Sequence, residues 1–182
     1  MTMEFSTSYL ADSISLFRYY KKLGERALAQ VADDQLFYCQ DEESNSIAII
    51  LKHLAGNMLS RWTDFLTTDG EKPSRNRDTE FKDPPKNRAE LMRAWEEGWT
   101  CLLNTLESLT DSDLTRRVFI RGEAHSVMQA INRQLCHYSY HVGQIVFAAK
   151  QRRTGDWSSL TVPRGKSADY NRRVLRKEVS QR

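Results

Sequence analysis

Only four histidines occur in the chain, and two of them, His137 and His141, stand four residues apart. On a helix that spacing turns both rings to one face, one above the other. His53 lies in a separate segment whose apolar residues also recur at helical spacing. Imidazoles gathered in a packed interior repel one another when protonated and lack partners when neutral. A divalent cation satisfies all three nitrogens at about 2.0–2.1 Å, and three protein ligands leave a position for water or substrate. The pattern therefore points to metal-assisted activation of water or of a thiol. HxxxH also arises by chance, and a single histidine beside a core is ordinarily just hydrogen-bonded, so spacing alone leaves both readings open.

Polar neighbours extend the candidate set. Asn57 lies one turn after His53, and Gln134 and Gln144 share the His137–His141 stripe. All three are candidates to orient the imidazoles or a bound water, against the alternative of ordinary helix polarity. His125 falls in a turn-rich stretch and is left outside the site. Cys136 is rotated about 100° from His137 and is not proposed as a nucleophile. Cys39, Cys101 and Cys136 are odd in number, with no CxxC pair, so neither a disulfide framework nor a cysteine-rich zinc site is expected. Buried or half-buried free thiols are.

The elements that must position these residues are helical. From Ser6 to about Val31, Leu10, Ile14, Phe17, Leu28 and Val31 mark an amphipathic first helix. After a polar run over 40–46, with N-caps at Ser44 to Ser46, a second helix carries His53 and runs to roughly Leu66. Residues 67–86 hold Gly70, Pro73, Pro84 and Pro85 with many charges and almost no apolar residue, a long connection of the kind that borders a site. Asn87 to Glu90 has capping-box spacing and opens a third helix ending near Leu109. Residues 116–125 centre β-preferring residues on Gly122 and predict a small hairpin. Ser126 to Gln129 is a second capping box, opening a fourth helix through Met128, Leu135, Tyr138, Val142 and Ala149. Trp62, Trp95 and Trp99 stand at core spacing. Beyond Gly155 an irregular strap through Trp157, Leu160 and Pro163 leads to a basic tail from about 164.

The sum is an all-α chain, a four-helix bundle with a short β-hairpin before the last long helix. The long second connection predicts a crossover rather than simple up-down order.

The segments Ser46-Ile-Ala-Ile-Ile-Leu-Lys-His53-Leu-Ala-Gly-Asn57 and His137-Tyr-Ser-Tyr-His141-Val-Gly-Gln144 resemble the DinB/YfiT-like family of metalloenzymes. The ending Trp157-Ser-Ser-Leu-Thr-Val-Pro-Arg-Gly-Lys166 is similar to a bacterial branch of that superfamily whose function is uncharacterised. The resemblance implies a four-helix bundle with one divalent ion, zinc or nickel, on His53, His137 and His141, and a homodimer. It implies thiol-dependent S-transfer or metal-dependent hydrolysis on a small molecule, a low-molecular-weight thiol being one candidate partner. The alternative is a non-catalytic, metal-binding, stress-related dimeric bundle.

Composition sets the outer bounds. At 182 residues and 40% hydrophobic content the chain suits one domain over 1–182. No run approaches the roughly 18 apolar residues of a membrane span and no signal-peptide layout opens the chain, so a cytoplasmic location is expected. The net charge of +3 is uneven, because residues 164–182 hold seven Lys/Arg against two acids. Without aromatic interleaving such a tail is ordinarily solvated, and nucleic acid is not an expected partner.

Overall fold

The structure is a computed structural model in which residues 5–179 are described. In chain order the helices are α1 (Phe5–Leu28), α2 (Ile47–Trp62), the single turn α3 (Arg77–Glu80), α4 (Arg88–Ser108), α5 (Val127–Gln151) and α6 (Ser167–Leu175). Strands β1 (Arg117–Ile120) and β2 (Glu123–Ser126) form an antiparallel hairpin directly before α5. The four long helices make the bundle, as the apolar periodicity predicts. None of the described helices is long and apolar enough to cross a membrane.

Local chemistry starts these helices where the sequence indicates. The side chains of Ser46, Asn87 and Ser126 accept hydrogen bonds from the backbone N–H three residues on, at Ile49, Glu90 and Gln129. Each such cap satisfies a donor that the helix leaves unpaired and contributes about 1 kcal/mol. Gln129 answers by accepting from the Ser126 N–H, which completes the box. Helix ends are less well marked. α2 stops at Trp62 rather than Leu66, because Thr63 turns extended and Asp64 takes φ +48°. α1 likewise stops at Leu28, short of Val31. Phe65 and Val31 remain buried beyond those ends, so the apolar pattern outlasts the helix.

Side-chain contacts give the helix directions. Tyr9 on α1 donates to the Met128 carbonyl at the start of α5, and Val31 bridges Arg153 just past its end, so α1 and α5 run parallel. α2 and α4 are also parallel: Ala55 and Met58 face Gly98, and Thr105 donates to the Trp62 carbonyl. Between the pairs the sense reverses, with Arg18 on Glu107 and Glu25 near Trp95 across α1–α4, and Gln134 on Asn57 across α2–α5. Phe17, Trp62, Trp95, Trp99, Tyr138 and Met58 fill the centre, each almost fully buried.

Two consecutive parallel helices need a connection that travels back along the bundle. Residues 63–87 supply it, and the predicted crossover is this segment. It retraces α2, about 24 Å long at 1.5 Å per residue. Ser60 and Arg61 donate to the Gly70 carbonyl, and near the other end Lys52 donates to the carbonyls of Thr79, Lys82 and Asp83. The hairpin turn is sewn to the same segment, because Asp69 accepts from the N–H groups of Arg121 and Gly122. Both turn residues are left-handed, φ +56° and +76°, the two-residue geometry that matches strand twist.

Two further expectations change. The tail from 164 is not wholly irregular: α6 occupies Ser167–Leu175, with Asp169 in its first turn and Arg172 and Arg173 in its last, the charge order that a helix dipole favours. Residues 180–182 of that tail lie outside the described residues. Of the three thiols, which are unpaired, only Cys101 is half-buried, whereas Cys39 and Cys136 are exposed. Cys39 sits in the polar link before α2 and Cys136 on the outer face of α5, where no neighbouring element covers it. The strap does pack as expected, Arg26 of α1 and Gln30 just beyond its end holding the strap backbone at 158–160.

Candidate metal centre

His53 comes from the middle of α2 and His137 and His141 from the facing stretch of antiparallel α5. His53 is buried and the other two are half-buried. Their Nε2 atoms converge, with His137 3.3 Å from His53 and 3.1 Å from His141, and one ligand atom from each ring falls within 4.8 Å of the others. Two nitrogens each about 2.05 Å from one tetrahedral centre stand about 3.3 Å apart. The spacing of these rings is that of donors around a single ion.

Outer contacts fix the tautomers of two rings. Nδ1 of His53 faces Oε2 of Glu80 at 2.8 Å, and Nδ1 of His141 faces Oε1 of Gln144 at 2.7 Å. Both oxygens are acceptors only, so each Nδ1 carries the proton and each Nε2 turns a lone pair inward. His137 has no such partner, and its buried Nδ1 is without a hydrogen bond. Whichever nitrogen of His137 holds its proton, the group of three leaves a polar atom unsatisfied. An ion at the convergence point removes the opposition of lone pairs, so the donor set fits a divalent metal.

Charge on the rings is disfavoured. Burial, together with the positive charge that His141 and His53 would carry, pushes His137 down to about 3. Burial pushes His141 down to about 4, against a smaller upward pull from Gln144. At neutral pH both are therefore free bases, the form that ligates metal.

Behind His53 lies a network that the sequence did not reveal. Glu80 is 5% exposed and takes a fork of two hydrogen bonds from Arg75, Nε to Oε1 at 2.7 Å and Nη2 to Oε2 at 2.8 Å. Burial pushes the Glu80 carboxyl up, but hydrogen bonds from His53 and Arg75 outweigh it and hold it below its ordinary value. Room for this carboxylate comes from Gly56, where a Cβ would stand 2.6 Å from Oε1. Phe81, the next residue, packs its ring 4.7 Å from that of His53.

The three expected polar neighbours divide. Gln144 bonds His141 directly. Asn57 and Gln134 instead bond each other at 2.7 Å and share the Tyr138 hydroxyl, which also accepts from the Trp62 indole N–H. They line the same cleft as the imidazoles without a hydrogen bond to any of them. His125 on β2 contacts the Glu123 carbonyl and lies outside the histidine group.

The imidazoles open onto a cleft of about 570 Å³ walled by α2, α5, the return segment and the hairpin turn. That size suits a small molecule. No curated protein and no solved structure matches the chain. Residues 4–166, nearly its whole length, match a family described as a protein of unknown function, DUF1572, and the chain belongs to that family.

Proposed function

We propose that the chain holds one divalent metal ion through Nε2 of His53, His137 and His141 and acts as a metal-dependent enzyme on a small molecule, by S-transfer or hydrolysis. The observation that carries this reading is the convergence of three imidazole nitrogens at the floor of an open cleft. The resemblance of the His53 and His137–His141 segments to the DinB/YfiT-like family supports the same ligands, with zinc or nickel as the ion. When bound, the ion supplies Lewis acidity, drawing a proton from water or a thiol near neutral pH. The protein's own part is positioning: Glu80 and Gln144 hold two rings in register, and Arg75 keeps Glu80 ionised and aligned.

One observation favours a second reading, a metal-binding bundle without turnover. Among the described residues lining the cleft there is no Asp or Glu to serve as general base or acid. Elemental analysis of purified protein, with a turnover panel of thiols and electrophiles, separates the two. About one ion per chain and its loss in the His137→Ala, His141→Ala double variant are expected. Turnover retained in that variant overturns the metal-dependent mechanism, and turnover lost with the metal removes the second reading.

A further inference from the structure

Five arginines, Arg61, Arg75, Arg77, Arg121 and Arg133, line the cleft above the imidazoles. Two carboxylates form ion pairs with them. Oε2 of Glu71 alone receives Arg61 at 2.9 Å, Arg75 at 3.1 Å and Arg121 at 3.2 Å. Glu80 is taken up by Arg75 and His53. Asp69, which accepts from the Arg121 and Gly122 N–H groups, adds a third carboxylate, so five guanidinium groups leave the wall two positive charges in excess before any metal is added. Side-chain exposure of Arg61 and Arg75 is only 6% and 4%, and the buried Nε of Arg61 has no hydrogen-bond partner. Surface arginines are ordinarily solvated and need no ligand. Here the two buried groups are neutralised by Glu71 and Glu80, and the excess falls on arginines that share one cleft with the orphaned Nε of Arg61, an arrangement that focuses positive potential.

The remaining three arginines stand at the mouth. Arg77 is stacked 5.0 Å over the ring of Phe81, the same ring that packs on His53. Arg133 is one turn before His137 on α5, and no ion pair to either Arg77 or Arg133 occurs among the described residues. Arg121 is half-exposed on the left-handed hairpin turn, tethered on one side by Glu71. Guanidinium forks match the geometry of carboxylate and phosphate oxygens.

We infer that the cleft takes a small anionic molecule, its carboxylate or phosphate group bound by Arg77, Arg121 and Arg133 while its reacting end faces the imidazoles. The role of the reacting end rests on the metal proposal above, whereas the anion contact does not. Inorganic phosphate and malonate are suitable probes, titrated calorimetrically at low ionic strength into metal-loaded and chelator-treated protein. Saturable binding of at least one probe is expected in both forms, weakening as salt is raised. The exposed Arg77→Gln, Arg133→Gln pair should fold normally and weaken binding about tenfold for each lost charged contact. The His137→Ala, His141→Ala variant should lose metal yet still bind the probe. Preference for phosphate assigns a phosphate group to the ligand, and preference for malonate a carboxylate. Absence of binding in metal-loaded protein, or binding unchanged by the arginine substitutions, overturns the inference while leaving the metal proposal standing. Anion binding by wild-type protein that takes up no zinc or nickel when either is supplied does the reverse.

Discussion

At the scale of single residues, the most telling side chain is Glu80, which touches no expected metal position yet governs one ligand. A carboxylate on the far nitrogen of a ligating imidazole sets its orientation and raises its basicity, and losing it costs about 10–100-fold in metal affinity. Glu80→Gln keeps the shape and an acceptor oxygen but removes the charge that Arg75 also uses. Competition against a chromophoric chelator should therefore show metal affinity reduced within that range, with the metal still bound. The histidines themselves were legible because two share a helix face and a third sits on another apolar stripe. Glu80 was not, because its bond to His53 spans 27 residues and starts from a segment whose many charges read as solvated. Asn57 and Gln134 show the converse, since their spacing placed them at the cleft but could not tell that Tyr138 would claim them.

At the scale of elements, α2 and the return segment work as one unit. Gly56, one turn after His53, is where the Glu80 side chain of the segment presses against the helix. Gly56→Ala improves helix propensity by about 1 kcal/mol, but the added methyl meets the Glu80 carboxylate. The carboxylate is the end of a flexible side chain, so the fold should survive, but the fork from Arg75 and the contact with His53 are displaced and their stabilisation is lost. Circular dichroism should show the helical fold retained at a melting temperature below that of the wild type, beside a metal affinity reduced as far as in Glu80→Gln. Starts of elements were readable from Ser46, Asn87 and Ser126, whose caps act locally. The ends of α1 and α2 were not, because Val31 and Phe65 remain buried after their helices stop, whereas α4 ends at Ser108, beside the expected Leu109. α6 carries no buried residue, and its nine residues, with Tyr170 and Val174 one turn apart, are too short a run for periodicity to mark.

At the scale of the whole molecule, stability and the metal centre are coupled through protons. His137 and His141 have folded values near 3 and 4 against about 6.5 when unfolded, so between those limits the unfolded chain binds more protons. Metal-free protein should therefore lose stability as pH falls from about 6.5 towards 4, and Glu80, also held low, adds to the loss below about 4.5. Added zinc or nickel should raise the melting temperature at pH 7 in proportion to the logarithm of its concentration, and much less at pH 5, where protons compete for the same nitrogens. Thermal melts across that grid check both statements, and an unchanged melting temperature on metal addition at pH 7 would contradict the second. Bundle architecture was readable from four apolar stripes, and the length of residues 67–86 signalled a crossover. Which helices run parallel was not, since that depends on pairs such as Tyr9 with Met128, 119 residues apart. Among the described residues lining the cleft none belongs to α1 or α4. Half of the bundle is thus relieved of chemical duty and answers only to packing. Random substitutions should consequently sort into two phenotypes: those in α1 and α4 diminish how much protein accumulates, whereas those at the cleft-lining positions of α2 and α5 yield abundant protein that holds less metal.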